Sequence, residues 1–127
     1  MKFKDKTVVV TGSRRGIGLG IALEFAKLGA NVVLNGTREI DAETLAQFDA
    51  YPGEVMTFVG DVSKFDVAEN FINEVKERFG RIDVLVNNAG ITRDGLLMRM
   101  SESDFDDVMN INLKGYFNMI RFATPVF

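Results

Sequence analysis

Four short apolar stretches, separated by longer stretches with helical spacing, restrict this chain to very few folds. The apolar stretches are rich in Val, Ile and Leu and occupy residues 7–11, 31–35, 55–59 and 82–87. Each is almost continuously apolar, as strands are when both faces of a parallel sheet are covered. The sequence therefore predicts four buried parallel strands.

The segments between these strands have the spacing of amphipathic helices. Two helices are predicted at residues 17–28 and 42–50. A third opens with Ser63 and Asp66 in capping-box spacing, ends at Gly80, and carries on one face Val67, Phe71, Ile72, Val75 and Phe79. Strands that alternate with such helices predict right-handed βαβ units, so the expected fold class is α/β with a doubly wound parallel sheet.

A long final helix is predicted to begin near Ser101, with Asp104 in capping-box spacing. Its narrow polar stripe comprises Asp107, Asn110, Lys114, Asn118 and Arg121. One apolar side has Val108, Ile111, Met119 and Phe122. A second has Phe105, Met109, Tyr116 and Ile120. One of these sides can face the sheet. The other favours a partner subunit, with Gly115 permitting close approach, or is covered by further chain.

The end of the chain indicates a larger fold. Pro125 and Phe127 lie in an apolar helical pattern that has no C-cap, and four strands alone leave residues 82–87 at an exposed edge. We therefore expect residues 1–127 to be one domain that forms the N-terminal part of a longer fold.

The composition excludes several functions. With 15 Lys and Arg, 18 Asp and Glu and no basic tract, the net charge of −3 argues against a nucleic-acid surface. The absence of Cys excludes disulfides, and the absence of both Cys and His argues strongly against a zinc site. No run approaches the roughly 18 apolar residues of a membrane span, and the apolar run at residues 8–10 is too short for a signal peptide. The expected location is the cytoplasm.

The turn after the first strand is the strongest candidate site, and it reads Thr11-Gly12-Ser13-Arg14-Arg15-Gly16-Ile17-Gly18. A glycine-rich turn that opens a helix presents backbone N–H groups and the positive end of the helix dipole to an anion. Its G-x-x-x-G-x-G spacing differs from G-x-G-x-x-G. A tight turn with incidental glycines is the alternative, but the position after the first strand of a βαβ unit favours a dinucleotide site.

The end of the second strand bears on the choice of nicotinamide cofactor. An acidic residue there would bind the ribose 2′-hydroxyl and repel a 2′-phosphate. The sequence instead reads Asn35-Gly36-Thr37-Arg38, without a carboxylate. Arg15 and Arg38 together could bind a 2′-phosphate, although either arginine alone could be a solvated surface residue. This pattern favours NADP(H).

Polar or small residues also follow the third and fourth strands. Asp61 could accept from an adenine amino group beside an apolar wall at Val62, or it could serve only the next helix. The stretch 87–90 reads Asn-Asn-Ala-Gly, which suits backbone pressed against a ligand at the carboxyl end of a strand. On the last helix, Asn112 continues an apolar stripe. It could be a structural amide or could hold a water or backbone group beside a reaction centre.

Together these motifs resemble the short-chain dehydrogenase/reductase family. The resemblance rests on Thr11-Gly12-x-x-x-Gly16-x-Gly18, on Asp61, on residues 87–90 and on Asn112, and it spans the whole chain. Residues 88–100 are similar to those of a narrower group, the bacterial 3-oxoacyl-[acyl-carrier-protein] reductases.

The resemblance implies a Rossmann-type fold and NADPH-dependent reduction of a 3-oxoacyl group on acyl carrier protein, by an enzyme that is usually a homotetramer. It implies that the cofactor phosphates are bound, with Arg15 at the 2′-phosphate, by Gly12, Ser13, Arg14, Arg15, Gly16, Ile17 and Gly18. The adenosine ribose would lie near Thr37 and Arg38, and the adenine near Asp61 and Val62. The nicotinamide side would be lined by Asn88, Ala89, Gly90 and Ile91. Asn112 would be the catalytic Asn, which supports a proton relay through a Lys and a water.

The sequence departs from the family in its proton donor. The family's catalytic Ser and Tyr-x-x-x-Lys motif are not found. The two tyrosines, Tyr51 and Tyr116, are followed at the fourth position by Val55 and Ile120 and not by Lys. We therefore expect the chain by itself to be inactive. Two alternatives stay open: a non-catalytic dinucleotide-binding module, and a reductase of a sugar, polyol or steroid carbonyl.

Overall fold

A computed structural model describes residues 2–90 and 101–127 of the protein. Its strands are β1 (Thr7–Val10), β2 (Asn31–Gly36), β3 (Val55–Val59) and β4 (Val84–Val86). The intervening helices are α1 (Gly16–Lys27), α2 (Ala42–Ala46) and α3 (Phe65–Phe79). The C-terminal part comprises α4 (Glu102–Val108), a π-helical turn (Met109–Leu113), α5 (Lys114–Ala123) and a 3₁₀ turn (Thr124–Val126).

The four described strands form one parallel sheet in the order β3-β2-β1-β4. Its two faces lie on separate apolar cores because successive strand residues point in opposite directions. Val8 and Val10 pack toward α1, whereas Val9 packs toward α3 and α5 with Phe71 and Met119. The predicted doubly wound α/β architecture is confirmed.

Two element boundaries differ from the prediction for local reasons. The helix predicted at 42–50 ends at Ala46, since the N–H groups of residues 47–49 bond three residues back and tighten the chain into turns. The strand predicted at 82–87 is restricted to Val84–Val86. Beyond it, the N–H groups of Asn88 and Ala89 both bond to the hydroxyl of Thr11 and not to a neighbouring strand.

One of the two predicted capping boxes is wrong. Ser63 does not cap α3, which begins at Phe65, because its hydroxyl donates to Asp61 instead. Ser101 does cap α4, accepting the backbone N–H of Asp104 at 3.0 Å.

The final helix is neither continuous nor partitioned as predicted. The π turn interrupts it, and Asn118, assigned to the polar stripe, is fully buried. Gly115 approaches the same chain's Val62 and not a partner, since a Cβ on it would lie 3.4 Å from a methyl group of that residue. Met119 on the first apolar side is buried in the core, whereas Phe105 on the second side is exposed. No helix in the described parts of the chain is long and apolar enough to cross a membrane.

The start of the sheet is held by Asp83. Its carboxylate accepts the Thr7 N–H at 2.8 Å and pairs with two nitrogens of Arg81 at 2.7 and 2.8 Å. The hydrogen bond from Arg81, followed by that from Thr7, keeps the pKa of Asp83 below its ordinary value, against the effect of partial burial.

We expect Asp83→Ala to lower the free energy of unfolding at pH 7 by about 1 kcal/mol, because the buried Thr7 N–H loses its acceptor. Since the carboxyl binds a proton less readily when folded, its contribution is complete above the unfolded pKa of about 3.9 and is lost as the pH falls further. Urea unfolding at pH 7, 5, 4 and 3 should therefore find the variant converging on the wild type in acid. The exposed Asp49→Ala serves as control, and a difference that does not change with pH would contradict this account.

Candidate functional site

The glycine-rich turn connects β1 to α1 and lies against the loop after β4. Gly12 has φ +60°, and a Cβ there would lie 2.7 Å from the Cα of Ala89. A Cβ on Gly18 would collide with the carbonyl oxygen of Gly12 and with the side-chain nitrogen, Nδ2, of Asn88. Gly16 has φ +64° in open space. Two glycines thus allow close packing, and the third supplies a backbone conformation that side chains disfavour.

The N-terminus of α1 is open to an anion. Arg15 occupies the N-cap position without a side-chain capping bond, and the first turn has no acidic residue. The first N–H groups of a helix lack partners within it and carry its positive dipole end. The turn can therefore offer backbone hydrogen bonds to a phosphate group.

Asn35 attaches this turn to two strands. Its Oδ1 accepts the Gly12 N–H at 3.1 Å, and its Nδ2 donates to the carbonyls of Phe58 at 3.0 Å and Gly60 at 3.2 Å. Its backbone exchanges hydrogen bonds with Ser13 at 2.7 and 2.9 Å. Because Asn35 is buried, these bonds fix the turn relative to the ends of β2 and β3.

Thr11 connects the same turn to the loop after β4. Its hydroxyl accepts the N–H groups of Asn88 and Ala89, each at 3.0 Å. In return, the Asn88 side chain donates to the carbonyl of Gly12 at 2.9 Å. The carboxyl ends of β1 and β4 are therefore held together beside the turn.

A cleft of about 450 Å³ opens between these loops at the carboxyl edge of the sheet. Of the residues predicted for the cofactor, it is lined by Gly12, Arg14, Arg15, Thr37, Arg38, Asp61, Val62, Ala89 and Gly90. It is also lined by residues that were not predicted as site residues, namely Asn35, Gly36, Gly60, Ser63 and Ile111. Its charged lining comprises three arginines and one carboxylate, so the wall favours an anion.

Several predicted residues lie outside the wall of this cleft. Ser13 is buried, and its hydroxyl donates to the carbonyl of Val10 at 2.7 Å, so its side chain supports the turn. Gly16, Gly18 and Asn88 likewise shape the turn from behind, as described above. Ile17 is exposed at the start of α1. Ile91 lies outside the described residues.

Asp61 forms a local turn at the end of β3. Its Oδ1 accepts both the N–H of Ser63 at 2.9 Å and the hydroxyl of Ser63 at 2.7 Å. Within residues 2–90 and 101–127, its Oδ2 accepts no hydrogen bond. One carboxylate oxygen thus shapes the turn before α3, and the second is left for a donor in the cleft.

Asn112 lies in the π turn and rests on the loop after β4. A Cβ on Gly90 would come within 2.7 Å of its Oδ1 and 2.9 Å of its Cγ. Such single π-helical turns are frequent at functional sites. The carboxamide of Asn112 and the backbone of Gly90 are therefore in close contact.

Asn118 supports the other side of the cleft. Its Nδ2 donates to the carbonyl of Val62 at 3.0 Å, and its Oδ1 is buried without a partner among the described residues. Neither this role nor that of Asn35 was predicted from the sequence. A polar residue inside the apolar segment 31–36 was a usable signal for Asn35. Asn118 offered none, because its helical position matched a polar stripe.

Comparisons with known proteins find similar sequences and structures. Residues 6–127 match the family model described as short chain dehydrogenase. The chain is 46% identical over 123 residues to the 3-oxoacyl-[acyl-carrier-protein] reductase FabG of Staphylococcus epidermidis, covering 95% of this chain and 50% of that protein. It is 41% identical over 126 residues to FabG of Thermotoga maritima, covering 98% and 51%. The chain thus spans about half the length of these curated relatives.

Solved structures resemble the fold closely. A metagenomic short-chain oxidoreductase in complex with NADP has a TM-score of 0.84 and 35% identity, covering 99% of this chain and 58% of that one. The 3-oxoacyl-[acyl-carrier protein] reductase from Brucella melitensis, in complex with NAD, has a TM-score of 0.86 and 31% identity, covering 95% and 48%. The similar proteins therefore include binders of either dinucleotide.

We expect Asn35→Ala to lower the free energy of unfolding by about 2–4 kcal/mol, because it removes the acceptor of the Gly12 N–H and the amide donor to the carbonyls of Phe58 and Gly60. Urea unfolding should reveal the loss. The control is Asn70→Ala, which removes an exposed amide bonded to Glu74 on α3 and should cost less than about 1 kcal/mol. Equal effects of the two substitutions would contradict a special role for Asn35.

Proposed function

Because the chain belongs to the short chain dehydrogenase family, we propose that residues 1–127 are the NADP(H)-binding portion of a reductase. Its substrate is a 3-oxoacyl group on acyl carrier protein, and its product is the 3-hydroxyacyl group of fatty-acid synthesis. The observation that carries the proposal is the glycine turn, held against the loop after β4 beside a cleft with three arginines. The reductases of this substrate among its relatives support the choice of reaction.

The residues of the cleft fit a nicotinamide dinucleotide. The backbone around Gly12 and the start of α1 would hold the pyrophosphate. Residue 12 must be glycine for this backbone to lie against Ala89, because a Cβ on it would collide with that residue. Thr37 and Arg38 would lie at the adenosine ribose. Asp61 would accept from the adenine amino group.

The nicotinamide half of the cofactor would lie along the loop after β4. Asn88, Ala89, Gly90 and Ile91 are the residues that we propose for it. When bound, the reduced nicotinamide supplies a hydride to the carbonyl carbon of the substrate. The protein's contribution is to hold the reacting atoms close together and to exclude water.

Electrostatics favour NADP(H) over NAD(H). Strand β2 ends at Gly36 without a carboxylate, while Arg15 and Arg38 line the cleft. Guanidinium groups form charge-assisted, bidentate hydrogen bonds with phosphate. We propose that these two arginines bind the 2′-phosphate.

Asn112 is proposed as the catalytic Asn of the family. From its place against Gly90, its carboxamide would support a proton relay through a Lys and a water. Neither Tyr51 nor Tyr116 is followed by a Lys at the fourth position, so no Tyr-x-x-x-Lys proton donor occurs in the sequence. We propose that residues 1–127 bind the cofactor but do not complete the reaction.

The proposed enzyme is a cytoplasmic homo-oligomer. Five large apolar side chains along α4, the π turn and α5 are between 44% and 59% exposed, namely Phe105, Met109, Leu113, Phe117 and Ile120. A continuous exposed apolar stripe of this kind marks an interaction surface. We propose that a second copy of the chain packs on this stripe, as the resemblance to a family of usually homotetrameric enzymes implies.

Titration of the chain with each cofactor tests the proposed function. We expect NADPH to bind more tightly than NADH, and Arg15→Gln/Arg38→Gln to raise the Kd for NADPH at least about tenfold with little change for NADH. Calorimetry gives both constants, and circular dichroism checks the fold of the variant. Equal affinities for the two cofactors, or binding of neither, would contradict the assignment. NADPH oxidation by the chain with a 3-oxoacyl thioester would contradict its proposed inactivity.

Sedimentation velocity over a range of concentrations tests the oligomer. We expect the wild-type chain to self-associate and Leu113→Glu/Phe117→Glu to be monomeric, because two carboxylates would be buried at the interface. Leu28→Glu, an exposed apolar site at the end of α1, is the control and should behave as the wild type. A monomeric wild type would instead favour coverage of the stripe by further chain.

A further inference from the structure

The side chain of Arg14 lies across the end of β2. The last residue of that strand, Gly36, is buried, and a Cβ on it would be 3.0 Å from the Cβ of Arg14 and 3.2 Å from its Cδ. The same Cβ would lie 3.2 Å from the carbonyl oxygen of Arg38. The stem of Arg14 therefore occupies the space in which any side chain on residue 36 would begin.

The guanidinium group of Arg14 is held at this place by the loop after β2. Its Nε donates to the carbonyl oxygen of Glu39 at 3.2 Å. In the parts of the chain that the structure describes, its two terminal nitrogens donate no hydrogen bond. Arg14 also lines the cleft beside Gly36 and Arg38. Two N–H₂ groups of a residue that lines the cleft thus have no hydrogen-bond partner among the described residues and are available to an anion.

The carboxylate of Asp41 lies near the positive charge of Arg14. The pKa of Asp41 lies below its ordinary value, mainly because of hydrogen bonds from Thr44 and to a smaller degree because Arg14 is near. The hydrogen bond that Asp41 accepts from the Thr44 backbone measures 2.8 Å. Asp41 is therefore engaged in capping α2 and does not pair directly with the arginine.

We propose that Arg14 and Gly36 form one specificity-determining pair for the cofactor. A carboxylate at the end of the second strand selects NAD by binding the ribose 2′-hydroxyl. In this chain the stem of Arg14 crowds that position, so a side chain on residue 36 would have to displace it, and the guanidinium presents positive charge there instead. The pair rests on the proposed NADP(H)-binding function and adds Arg14 to the two arginines already assigned to the 2′-phosphate.

Arg14→Gln tests the charge, because glutamine retains the Cβ, Cγ and Cδ atoms that cover Gly36. We expect the Kd for NADPH to rise about tenfold and the Kd for NADH to stay within about twofold. Arg78→Gln, which removes an exposed cation at the end of α3, is the control for net charge and should change neither constant. Unchanged NADPH affinity in Arg14→Gln, or an equal loss for both cofactors, would overturn the proposal.

A double-mutant cycle tests the steric part. Gly36→Asp alone should weaken NADPH binding without improving NADH binding, because the new carboxylate meets Arg14 and pairs with it. Gly36→Asp/Arg14→Ala should bind NADH more tightly than the wild type, since the carboxylate is then free for the ribose. Effects of the two substitutions that simply add would overturn the coupling.

The wild-type titration separates the two proposals. A wild-type chain that prefers NADPH, with Arg14→Gln unchanged, refutes only the role of Arg14. A wild-type chain that binds neither cofactor refutes the proposed function and the specificity pair with it. Retained NADH binding in each variant serves as the check that the turn is still folded.

Discussion

Hydrogen bonds of one buried amide, Asn35, hold in shape the cleft at the carboxyl edge of the sheet. They attach the glycine turn to the end of β2 on one side and to the end of β3 on the other. The turn cannot form these bonds through a helix or a sheet, because its residues belong to neither. A side chain that offers one acceptor and two donors can satisfy all three groups at once. The close contact of Gly12 with Ala89 is held in addition by the hydrogen bonds of Thr11 and Asn88.

The C-terminal helical segment supports the loops after β3 and β4 that line the same cleft. Asn118 holds the carbonyl of Val62, and Gly115 packs against the side chain of the same residue. In the π turn that precedes α5, Asn112 rests on Gly90. A π turn contains an additional residue, so it changes the direction in which the preceding side chains point. The segment can thus contact the loops after β3 and β4 simultaneously.

Much of the fold and part of the site could be predicted from local patterns. The strand positions, the parallel sheet and the glycine turn follow from apolar continuity and from residue chemistry at known offsets. The predicted capping by Ser101 is confirmed, whereas that by Ser63 is wrong, because the Ser63 hydroxyl donates to Asp61. The roles of Asn35 and Asn118 depend on groups 23 and 56 residues away in sequence. No local pattern carries that information.

The sequence by itself determined which segments become strands, how the chain alternates between the faces of the sheet, and where a phosphate-binding turn can form. Hydrophobic spacing and the conformational freedom of glycine act over a few residues, so these features are readable in one dimension. Only the tertiary structure decided that Arg14 covers Gly36, that Asn112 meets Gly90, and that Ser13 faces inward. These side chains contact segments that the sheet brings together, and such contacts depend on differences of a few tenths of an ångström in packing distance.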